Sequence, residues 1–104
     1  MAWLLIIVAG LLEIGWMLGL KFSEGFTRLW PSVFTVACMA ASMFLVSLAL
    51  KQLPIGTAYA VWTGIGAAGA ALVGILWFQE SAAALRLASI ALIIAGIIGL
   101  KISA

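Results

Sequence analysis

Glu13 is the only ionisable side chain in residues 1–20, a run otherwise made of apolar residues and glycine. A carboxylate at the centre of a membrane-spanning helix costs ~2.5–3.5 kcal/mol on insertion scales, and such residues commonly line a polar pathway. Positions three and four apart share a helix face, which groups Ala9, Gly10, Trp16 and Met17 with Glu13. Gly10 leaves room one turn before the acid. Trp16 offers an indole N–H one turn after it, although a tryptophan can also serve as an interfacial anchor.

Two further groups carry polar or aromatic chemistry. Thr35, Cys38 and Ser42 follow i, i+3, i+7 spacing and make a mildly polar stripe; the plainer reading is that such hydroxyls bond their own backbone. Tyr59, Trp62 and Gly66 share another face. The two aromatics are either ordinary packing or, beside a carboxylate, a box for a cation. One acid, a hydroxyl and two or three aromatics suit a small organic cation, with charge from the carboxylate and stacking from the rings. The same carboxylate can hold a proton instead. If cation and proton exclude one another and the site opens to each side in turn, the result is antiport.

Composition excludes several other functions. The chain has no His and one Cys, Cys38, so zinc sites, in-chain disulfides and His-based catalysis are absent. No nucleophile–base pair is visible, and we expect no enzyme activity, metal or cofactor. The five cations, Lys21, Arg28, Lys51, Arg86 and Lys101, are dispersed at the edges of apolar runs and form no nucleic-acid patch. With 67% hydrophobic and 8% charged residues, the chain lacks the polar material for a soluble surface.

Four elements must therefore position these residues within a bilayer. About 20 apolar residues cross the hydrocarbon, and the sequence predicts spans at residues 2–20, 30–50, 55–78 and 84–102. The uncharged part of the fourth, residues 87–100, reaches only about 21 Å at the helical rise. Snorkelling of Arg86 and Lys101 extends it. The first run lacks a basic leader and a cleavage signature, so it is expected to be a mature helix. The connections are too short for a soluble domain, and residues 1–104 are expected to form one four-helix transmembrane unit. Trp3, Trp30 and Trp77 fall near span ends, as interfacial tryptophans do.

The pattern at residues 64–69 has the form GxGxxG, but it lies inside a span with no βαβ context. Gly56, Ala60 and Gly64, then Gly66, Ala70 and Gly74, read better as close-packing surfaces. The fourth span reads as an assembly surface. Lys21, Arg28 and Arg86 fall on one side of the membrane, and Lys51 and Lys101 on the other. This bias leaves two readings: weak orientation, or insertion both ways with antiparallel pairing.

Several motifs together resemble the small multidrug resistance family over essentially the whole chain. They are Glu13, the loop at residues 21–28, Pro31, residues 54–66 and residues 92–97. The resemblance implies an antiparallel, dual-topology homodimer in the bacterial inner membrane, with Glu13 of both subunits binding substrate or protons. Glu13-Ile14-Gly15-Trp16, Leu20-Lys21 and Lys101 resemble the branch that exports guanidinium rather than bulky drugs, and Met39 stands where the bulky-drug branch often has Tyr. By that resemblance Glu13 binds substrate and protons, while Gly10, Trp16, Ser42, Tyr59 and Trp62 line the site. The implied activity is proton-coupled export of guanidinium, with small guanidinyl or quaternary ammonium compounds as further substrates, by alternating access. The alternatives are a polyspecific exporter of bulky aromatic cations, a proton-conducting pore or ring subunit, and one half of a heteromeric pair.

Overall fold

A computed structural model describes residues 1–103, and these form four helices without strands. They are α1 (Ala2–Phe22), α2 (Leu29–Ala49), α3 (Ile55–Trp77) and α4 (Ala84–Ser103). Ala104, the last residue of the expected 1–104 unit, lies outside the described residues. Each helix is long and apolar enough to cross a membrane. In hydrocarbon every backbone N–H and C=O needs an internal partner, so long apolar runs without water become helices. Large side chains such as Leu4, Phe34, Phe44 and Leu92 stay exposed on their outer faces, where lipid is the solvent.

The α1–α2 connection is more tightly built than a polar turn. Lys21 and Phe22 continue α1, and Ser23 caps it while completely buried. Its Oγ donates to the Leu20 carbonyl at 2.7 Å and accepts the Phe26 N–H at 3.1 Å. Glu24, Gly25 and Phe26 all take left-handed φ values of 50°, 74° and 66°, a conformation that favours glycine at the middle position. The Ser23 carbonyl then receives the Thr27 and Arg28 N–H groups. This sharp reversal lets α2 run back against α1. Pro54 sits just ahead of α3, where its missing N–H is harmless.

Packing is uneven. Ile6, Ala9, Val46, Ala49, Ala58 and Val61 form a core shared by α1, α2 and α3. Small residues set its spacing. A β-carbon on Gly10 would lie 2.7 Å from Ile65 Cβ, and one on Gly69 would collide with the Ile14 side chain. One on Gly19 would press to 2.9 Å from the Phe34 ring. By contrast, α4 packs along α3, with Gly64 receiving Ile97, and Ile90 is its only buried member among the described residues. At the far end of α4, Lys101 Nζ stands 4.7 Å from the Trp3 ring centroid, a cation–π contact back to α1.

The molecule measures 42 × 35 × 16 Å. A square four-helix bundle with interaxial spacings of about 8–10 Å would have two short dimensions. This chain has one, so its helices spread as a slab with open faces.

Candidate functional site in the membrane plane

The centre of the site is a pair on one helix turn. Trp16 Nε1 donates to Glu13 Oε1 at 2.5 Å. The i, i+3 relation brings the indole onto the face of the acid, and the bond fixes which way the carboxylate points. A neutral donor orients the charge without cancelling it. No cation pairs with Glu13 among the described residues. Its second oxygen, Oε2, makes no protein hydrogen bond there either, which leaves it able to accept from a ligand.

Gly66 on α3 presses against the stem of this acid. A β-carbon there would lie 2.8 Å from Glu13 Cβ and 3.6 Å from Oε2. The bare backbone of Gly66 thus forms one wall of the carboxylate's niche. Sequence periodicity placed Gly66 with Tyr59 and Trp62 but not opposite Glu13. Only the small-residue spacing hinted at a close approach, without saying to what. Gly10 also clears space near the acid, and the group that occupies this space is Ile65.

A second hydrogen-bonded chain ties three helices together beside the pair. Trp62 Nε1 donates to Ser42 Oγ at 2.9 Å, and Ser42 Oγ donates to the Ala9 carbonyl at 2.9 Å. Ala9 precedes Glu13 by four residues, so the same carbonyl receives Glu13's own helical N–H. Ser42 is completely buried. An unpaired indole N–H or hydroxyl in that position would lose about 1–3 kcal/mol. Thr35 takes the plainer course and bonds its own helix at the Pro31 carbonyl, 2.7 Å away. Cys38 is a buried thiol packed beside Gly15.

Tyr59 meets Trp62 edge to face, with centroids 5.9 Å apart and planes at 68°, a favoured aromatic geometry. Trp62 is half-buried, whereas Tyr59 is 61% exposed. The ring of Tyr59 therefore lies on an open face of the slab. The structure joins Glu13 to Trp16, and Ser42 to Trp62 and Tyr59; the Ala9 peptide links the two groups. No cluster of His, Cys, Asp or Glu suited to a metal occurs among the described residues.

A four-helix membrane-spanning chain with one mid-membrane carboxylate, oriented by a neutral donor and flanked by aromatics, defines a class of small cation-handling membrane proteins. The profile of the Small Multidrug Resistance protein matches residues 1–93, and the chain belongs to that family. It is similar to proteins named guanidinium exporter. The Escherichia coli K12 protein is 60% identical over 103 residues, covering 99% of this chain and 98% of that relative. The Salmonella typhimurium relative is 59% identical, covering 100% and 99%. The Yersinia pestis relative is 58% identical, covering 99% of each chain. These relatives are named as transporters, not enzymes. The spans and the bacterial relatives make the chain a multi-pass inner-membrane protein.

Proposed function

We propose that this protein is a proton-coupled antiporter that exports guanidinium. The observation that carries the reading is Glu13 held by Trp16, with one oxygen free and no fixed cation beside it. Guanidinium is planar, permanently charged and rich in N–H donors, so it pairs with an oriented carboxylate through parallel hydrogen bonds. Trp16 holds the acceptor in place for it, and the faces of Tyr59 and Trp62 supply stacking and cation–π contacts. Relatives of nearly equal length named guanidinium exporter support the choice of substrate.

Proton and guanidinium compete for Glu13 in this scheme. Protonation removes the charge that holds the cation; arrival of the cation displaces the proton. Alternating exposure of the site converts that competition into exchange. A second, inverted copy supplies a second Glu13 and closes the open face of the slab. Its support is the thin 16 Å dimension, the exposed Tyr59 and the empty surface of α4. A β-carbon on Gly96 or Gly99 would meet nothing within 4 Å, leaving α4 a close-packing surface with no partner among the described residues of its own chain.

The test is guanidinium-driven proton movement in proteoliposomes containing the purified protein. We expect coupled flux in the wild type and background flux in Glu13→Gln, with unchanged elution on size exclusion. Undiminished exchange by that variant would sink the proposal.

A further inference from the structure

A trough opens between α1 and α3 at the end that carries the α3–α4 connection, and its inner end reaches the helix turn of Glu13 through Ile14 and Met17. A cavity of ≈ 540 Å³ runs from Lys21, Glu80 and Arg86 inward to Ile14. An adjoining cavity of ≈ 420 Å³ shares Leu18, Val73 and Phe78 with it and reaches Trp77. Lys21 and Ile14 lie seven residues apart on α1, so the trough runs about 10 Å along the helix. Its walls are almost wholly apolar, and it lies within membrane-spanning segments.

The mouth has an uncompensated positive charge. Glu80 accepts from Arg86 Nη2 at 2.5 Å. Glu80 folds back over Gly74, where a β-carbon would collide with its carboxylate. Lys21 has no carboxylate partner among the described residues; its Nζ stands 4.7 Å from the Phe78 ring centroid, at the rim. Two cations and one anion leave the mouth at +1. Arg86 uses Nη2 on Glu80, and its Nε is buried without a hydrogen-bond partner among the described residues. Phe78 and Trp77 mark headgroup depth, where aromatic rings are favoured.

We propose that this trough holds one anionic phospholipid. Its phosphate sits at Lys21 and Arg86, and one acyl chain lies between Leu18 and Val73. Basic pockets between membrane helices select anionic headgroups in this way. Charge and shape both favour this occupant. A free phosphate would satisfy Lys21 but leave the apolar trough unfilled. A second copy of the chain would have to bury Lys21 and match it with a carboxylate of its own.

Native mass spectrometry of the detergent-solubilised full chain tests this, with equimolar phosphatidylglycerol and phosphatidylcholine as probes. We expect phosphatidylglycerol to be retained preferentially. Lys21→Gln should reduce its retention about fivefold, the value of one basic residue near an anionic surface. Lys51→Gln, in the α2–α3 connection, should leave retention unchanged. Leu18→Trp, which fills the trough, should lower retention with every charge intact, and it stands as the second arm if Lys21→Gln misfolds. Equal retention of the two lipids, equal loss in Lys51→Gln, displacement of the lipid by inorganic phosphate at matched concentration, or a lipid-free dimer would each overturn the proposal.

Discussion

Glu13 and Glu80 each accept one 2.5 Å hydrogen bond from a residue close in sequence, but the donors differ. At Glu80 the donor is Arg86, a permanent cation on a neighbouring helix end. At Glu13 it is Trp16, which is neutral. The charge of Glu80 is matched by a cation of its own chain. Glu13 is aimed by its donor but not matched by a cation among the described residues. Their surroundings differ in the same sense. Glu80 is 46% exposed to screening solvent on its side chain. Glu13 is half-buried, with the Gly66 backbone against its stem. On the proposed reading, the acid that carries the cation is the one whose hydrogen-bond partner orients it without cancelling its charge.

Giving Glu13 the kind of partner Glu80 has should have the largest effect. Trp16→Arg places a fixed guanidinium one turn from the acid, and we expect guanidinium exchange in proteoliposomes to fall to background while the protein still assembles. Retained exchange would show that the contrast between the two acids does not govern transport. Gly66→Ala attacks the niche instead. Its methyl would stand 2.8 Å from Glu13 Cβ, and overpacking of this kind costs about 1–3 kcal/mol. Exchange should drop roughly five- to hundredfold, whereas Gly56→Ala, where a β-carbon meets nothing within 4 Å, should change it little. Trp16→Phe keeps a ring and loses the N–H. A hydrogen bond to a charged group contributes about 1.5–3 kcal/mol. Apparent guanidinium affinity should fall at least about tenfold, while tetramethylammonium, which has no N–H to align, should lose less than about threefold. Equal losses for both cations would mean that Trp16 supports the site without orienting Glu13.

The parts of this arrangement that local spacing encodes were legible in the sequence. Four apolar runs of about membrane thickness became four helices, and the i, i+3 relation of Glu13 and Trp16 became a hydrogen bond on one face. Contacts between helices were less legible, because periodicity says which residues share a face and nothing about the register of the facing helix. Ser42 and Trp62 were each visible as polar or aromatic members of a stripe. Their joint attachment to the Ala9 carbonyl depends on how α2 and α3 are seated against α1. Gly66 was visible as a face-mate of Tyr59 and Trp62 and Gly10 as room beside the acid, but the spacing did not name what each packs against, Glu13 for Gly66 and Ile65 for Gly10. Ser23, within the loop at residues 21–28, is completely buried, because a reversal this tight folds its hydroxyl onto the loop's own backbone.

Glu80→Gln probes the other side of the contrast and should have the smallest effect. The pair with Arg86 joins the two ends of a short connection, and both side chains remain substantially exposed, at 37% and 46%. Exposed ion pairs contribute about 0–1 kcal/mol, and a glutamine can still accept a hydrogen bond from the Arg86 fork. Guanidinium exchange should stay within about threefold of wild type. A salt titration sharpens the reading. The small wild-type advantage should shrink between low salt and about 0.15 M, where the Debye length is about 8 Å. Loss of exchange in Glu80→Gln comparable to Glu13→Gln would mean that the neutralised acid also meets the transported cation, and the distinction drawn from their donors would fail.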